Sequence, residues 1–195
     1  TTQAQKHKPV YNIPNNSTPL VSIETDPELT RTTVEIQIKQ DLVTPVTYSQ
    51  YYQTLVAQLF INMLNGRFGE ATLLPQAPVI GAGSSFGAFR ADKSVFTLAA
   101  TAKPTKSKEV VAFLLTELNR IMKHGFTQSE LDRYKQSLLS KLDNAAKEID
   151  TTQSSRLANE YVRHFVRGDS IAGIDHYLAI GENFLPLITL DEVNA

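Results

Sequence analysis

The four histidines, His7, His124, His164 and His176, are the side chains whose chemistry is most specific in this sequence. A zinc hydrolase sets two histidines and a carboxylate on one helical face, as in HExxH or its inverse HxxEH. Neither string occurs. His124 is followed by Gly-Phe-Thr-Gln, where a helix is ending, and a cation there complements the helix dipole, so it reads as a cap. Glu160 and His164 stand four apart and share a helical face, either as half a metal site or as an ordinary side-chain pair. His176 follows Asp175 with no second ligand at a useful spacing, and His7 lies in a polar lead-in. Gly81, Gly83 and Gly87 do not run into a helix start with Lys or Ser/Thr behind them, as a phosphate cradle requires. They stand with Phe86 and Phe89 in a strand pattern instead. The GxSxG string at Gly83–Gly87 lies inside that strand pattern and not at a strand-to-helix turn, so it makes no nucleophile elbow. Without a cysteine there is no thiol nucleophile, disulfide or cysteine-bound zinc. No catalytic set and no metal set assembles from residue type and spacing alone.

The bulk properties narrow the classes further. A chain of 195 residues suits one domain with a core of ordinary size. Net charge is -1, and basic residues do not interleave with aromatics, so nothing favours nucleic acid. No apolar run reaches the roughly 20 residues that span a bilayer. Thr1 in place of Met is expected of a processed chain or a piece of a longer one.

The periodicities name the elements that must position any site. Residues 1–18 are polar with two prolines and an Asn pair, an irregular lead-in. Leu20 to Thr25 is expected to be a short strand. Thr32 to Gln40 alternates Val34, Ile36 and Ile38 against Glu35, Gln37 and Lys39, a half-buried strand with one wet face. Thr47 and Gln50 stand in capping-box register before a helical stripe from Leu55 to Leu64, with Gly66 expected to stop that helix. The stretch from Val79 to Ala91, rich in glycine, and Ser94 to Ala102 form a hairpin across Ala91–Lys93. Helices are then expected over Ser107–Lys123, from Thr127 with its Glu130 capping box to Ile149, over Thr152–Arg167, over Ile174–Phe184, and from the TLDEV stretch. Phe60, Phe113, Tyr134, Tyr161 and Phe165 fall in helical stripes and are expected in the core. This order predicts an α+β fold, a largely antiparallel sheet with helices packed on one face.

Five stretches in sequence order, VSIETDPELTRTTVEIQIK, LFINMLNGRFGE, HGFTQSELDRYKQSLL, SSRLANEYVRHFVRGDSIAGIDHY and LPLITLDEV, carry a resemblance that covers nearly the whole chain from Val21. The sequence resembles the non-catalytic second domain of bacterial zinc metallopeptidases of the insulinase/pitrilysin family. The resemblance implies the metallohydrolase fold of the LuxS and mitochondrial processing peptidase type. It implies a domain over residues 19–195 that lacks its first strand and helix. It places zinc and its HxxEH motif in the catalytic first domain of the full-length protein, so this chain holds no cofactor. Where relatives carry a catalytic Arg and Tyr, Ala71 and Pro78 stand here, and neither can stabilise an oxyanion. The implied role is to enclose peptide substrates, with Asn65, Gly66, Gly81, Ala82 and Gly83 either holding the peptide by backbone pairing or, in the case of the glycines, only permitting tight packing or a bulge. The implied partners are the catalytic domain and the second half of the same or a homologous chain, with self-association open through an unpaired edge. A periplasmic or secreted location is implied. Two rival readings stand beside this one. The first is a structural or assembly subunit of the same fold. The second is a free-standing enzyme using Glu160, His164 and His176.

Overall fold

A computed structural model describes residues 12–195 except Ala91, and leaves out the side chains of Arg156 and Arg167. His7 therefore lies outside the described residues. The elements run β1 (Thr33–Asp41), α1 (Tyr48–Thr72), β2 (Val79–Arg90), β3 (Lys93–Ala102), α2 (Ser107–His124) and α3 (Gln128–Lys147). A short 3-10 turn follows, then α4 (Ser154–Arg167), α5 (Ile174–Phe184), a second 3-10 turn and α6 (Leu190–Asn194).

The sheet is antiparallel in the order β1-β3-β2. The register pairs Val34 with Ala100, Ile36 with Leu98 and Ile38 with Phe96, so one face of the sheet collects the apolar side chains. Leu98, Ala100 and Ala102 are buried in one core with Leu59, Met63, Leu64 and Phe68 of α1 and Val110 and Leu114 of α2. The opposite residues of β1, Glu35 and Gln37, are exposed, as period-two alternation over a single helical layer requires. The α+β expectation, with helices on one face, holds.

Local chemistry sets the helix starts. The capping boxes at Thr47/Gln50 and Thr127/Glu130 both form, and a third forms at Thr189/Glu192. Each satisfies N–H groups that the first helical turn leaves without partners. Gly125 ends α2 at φ 67, a conformation glycine adopts freely. His124 and Lys123 lie in that last turn, where positive charge meets the negative helix end.

Three expectations need correction. Gly66 does not stop α1, which continues to Thr72. A Cβ at Gly66 would lie 1.9 Å from the Tyr134 hydroxyl oxygen, so its role is close approach to α3. Leu20–Thr25 forms no strand; it has no pairing partner among the described residues, and Leu20, Val21 and Ile23 are exposed. An apolar run becomes a strand only when an edge receives it, and local pattern does not say whether one does. Lastly, Tyr161 and Phe165 are not in the core, whereas Phe60, Phe113 and Tyr134 pack against it. Phe165 is 91% exposed. The α4 stripe was read correctly as helical, but it meets no part of the described core.

Candidate functional site

Because β3 is the central strand, β2 lies at the edge of the sheet, beside α1. Asn65, on the fifth turn of α1, reaches that edge. Its Nδ2 donates to the Ser84 carbonyl at 3.0 Å, and the Ser84 N–H donates to its Oδ1 at 2.5 Å. The Ser84 hydroxyl donates to the same oxygen at 3.1 Å. A carboxamide here makes the pair of bonds that a residue of a neighbouring strand would make. Ser84 thus turns its backbone groups away from β3, and by alternation so do Ala82, Phe86 and Ala88.

Of the residues singled out from the sequence, Asn65, Ala82 and Gly83 lie together at this edge. A Cβ added to Gly83 would sit 3.4 Å from Asn65 Oδ1. Gly81 opens on free space, with no atom within 4 Å of an added Cβ. It lies at an irregularity in the β2–β3 register between Val79 and Gly81. Gly66 belongs elsewhere, against Tyr134. Ala71 is buried near the end of α1, and the Pro78 carbonyl accepts the Lys103 N–H at 2.8 Å just before β2.

Sequence reasoning passed over Arg67, which holds this corner in place. Its Nε lies 2.6 Å from Glu130 Oε1, and its guanidinium donates to Oε2 at 2.9 Å. Glu130 meanwhile accepts the Thr127 N–H at 2.8 Å to close the α3 capping box. Burial pushes the Glu130 carboxyl up, but the Thr127 N–H and the Arg67 guanidinium outweigh it and hold it below the ordinary carboxylate range. One carboxylate therefore caps α3 and ties it to α1. The signal was an Arg two residues after Asn65, legible as a cation but not as this pair.

A hollow of about 620 Å³ continues from the β2 edge, between Phe86, Gly87 and Ala88 and the α1 residues Gln53, Ala57, Gln58 and Ile61. A second, of about 610 Å³, lies between α4 and the ends of α1, α3 and α5. The Tyr51 hydroxyl donates to Tyr177 at 3.1 Å, and Tyr177 donates to the Ser170 carbonyl at 3.1 Å. Burial, with the Tyr177 hydroxyl, pushes Tyr51 up to about 12, so it stays protonated.

Among the described residues no cluster of three or more His, Asp or Glu side chains is placed to hold a metal ion. His164 points its Nδ1 at the Asp169 carbonyl, 2.6 Å away. The His176 ring packs near that of Tyr48, with centroids 6.2 Å apart. Glu160, His164 and His176 are therefore not assembled as a site.

A three-stranded antiparallel sheet covered on one face by helices defines the class as an α+β domain. Residues 3–138 match the family described as the peptidase M16 inactive domain. The chain belongs to that family, the non-catalytic domains of insulinase-type proteases. It is 23% identical over 186 residues to a PQQL-like zinc protease of Arabidopsis thaliana, covering 95% of this chain and 16% of that protein. It is 25% identical over 154 residues to the chloroplastic stromal processing peptidase of Oryza sativa subsp. indica, covering 76% of this chain and 12% of that protein. The chain thus spans under a fifth of either relative.

Among solved structures, the first half of the periplasmic protease PqqL from Escherichia coli superposes with a TM-score of 0.79 at 15% identity. That match covers 86% of this chain and 36% of the other. A peptidase M16 inactive domain from Pseudomonas fluorescens gives a TM-score of 0.56 at 14% identity, covering 83% and 36%. At these identities the structural matches establish the fold. No described helix is long and apolar enough to cross a membrane.

Proposed function

We propose that the chain is the substrate-enclosing domain of a zinc-dependent metalloendopeptidase, holding peptides or unfolded segments while another domain cuts them. The observation that carries this reading is the β2 edge, whose Ser84 backbone groups are already matched by a strand-like carboxamide from Asn65. Pairing an extended peptide with such an edge gives affinity through the main chain and little side-chain preference. Asn65 and Gly83 shape the edge, Gly81 and Ala82 offer backbone beside it, and Gly66 lets α1 sit close to α3. Zinc belongs, in this reading, to a catalytic partner domain, and the natural partners are that domain and the remaining half of the same or a homologous chain. The periplasmic PqqL relative supports a periplasmic or secreted location.

The test is titration of a fluorescent unfolded peptide into the wild-type chain and the Ala82→Pro variant. Proline at an outward-facing edge position keeps the ladder to β3 but removes one outward donor. The expected result is anisotropy that rises with wild type and falls away with Ala82→Pro. Equal binding by both would remove the edge from the function.

A further inference from the structure

α4 is the element that the established family role leaves unexplained. Leu157, Tyr161 and Phe165 recur every four residues along it, and Val162 and Val166 lie beside them. None of its described side chains is buried. An isolated helix of this length is marginal in water, and an apolar stripe of this kind marks a surface that something else covers. The same helix forms one wall of the 610 Å³ hollow through Leu157, Glu160 and Arg163.

Two features say what fits that hollow. It is continuous with the groove at the β2 edge, because Leu42, Val43, Pro45 and Ala88 line both. A chain that pairs with β2 and leaves it at Ala88 therefore passes directly beneath α4. Its walls are also chemically selective. Leu42, Val43, Ile149, Leu157 and Ile174 give apolar surface. Among the described residues, Glu160 and Asp169 set two carboxylates there against the guanidinium of Arg163, which lies 3.8 Å from Asp169. The size falls within the roughly 300–1,000 Å³ typical of ligand clefts.

We infer that the cleft beneath α4 is a second peptide subsite, which takes apolar side chains of an extended, unfolded segment and favours a cationic residue beside them. The inference rests on the peptide-holding reading above and adds to it a preference for the sequence bound. The β2 edge supplies main-chain affinity. The α4 cleft selects segments that a folded protein keeps buried.

The test uses two labelled, unstructured peptides of equal length and equal positive charge, one rich in Leu and Val, the other in Gly and Ser. The wild-type chain is expected to bind the apolar peptide more tightly by at least about tenfold, or about 1.4 kcal/mol. Exchanging its Lys for Glu should weaken it. Leu157→Ser and, independently, the solvent-facing Val43→Ser should each erase most of that preference and leave the Gly/Ser peptide unaffected. Circular dichroism identifies any variant that has not folded, and the other then decides.

If both folded variants keep the preference while Ala82→Pro loses binding, the subsite is refuted and the edge reading stands. If the wild-type chain binds neither peptide, both fall together. A concentration-dependent dimer that Leu157→Ser dissolves would assign the stripe to a second copy and overturn the inference.

Discussion

At the residue scale, Gly66, Glu130 and Asn65 decide how α1, α3 and the β2 edge meet. Gly66 lies so close to Tyr134 that a methyl group must displace the ring. Gly66→Ala is expected to destabilise the chain by about 1–3 kcal/mol, as overpacking commonly does. Tyr134→Phe, which removes the clashing hydroxyl, should recover part of that loss, and denaturant unfolding of the double mutant measures the coupling. Glu130 gives a pH signature. Its folded carboxyl titrates below the ordinary range, so its contribution is present above an unfolded carboxylate pKa of about 4.3 and is lost as pH falls through the folded value. Glu130→Gln is therefore expected to lower stability near neutral pH by about 1–2 kcal/mol. The gap to wild type should close in acid. A constant gap at every pH would mean that Glu130 acts only through packing. Asn65→Ala is expected to cost about 1 kcal/mol, because Ser84 turns part of its lost hydrogen bonding to water.

At the element scale, α4 and α1 are expected to differ sharply in hydrogen exchange. α1 buries Leu55, Leu59, Met63, Leu64, Phe68 and Ala71, while α4 buries none of its described side chains. Amides of α4 should exchange through local opening, and those of α1 only near the global stability. Equal protection would mean that α4 already has a partner. The same contrast shows what the sequence could carry. Capping boxes and the alternation of Val34, Ile36 and Ile38 are local, and both were legible. The end of α1 was not, because glycine stops a helix or admits a neighbour with equal ease, and Tyr134 lies 68 residues further on. Leu20–Thr25 and the α4 stripe failed for one reason. Periodicity shows that a segment wants a partner without showing whether the partner is at hand. Among the candidate site residues, Asn65, Ala82 and Gly83 came together at the edge. Arg67 went unread because an ion pair across distant helices leaves no spacing in sequence.

At the scale of the whole molecule, the β2 edge and the groove contiguous with it are the surfaces that the proposed peptide-holding role would use. This agrees with its place among the M16 inactive domains. The most direct measurement follows both events on one reporter: an unfolded peptide with a fluorophore and quencher at its ends, titrated with the purified chain in zinc-containing buffer. The account predicts that anisotropy rises to saturation while no fluorescence is released by cleavage. Fluorescence that climbs with time and stops on adding a chelator would contradict it, since the chain would then be a metallopeptidase in its own right.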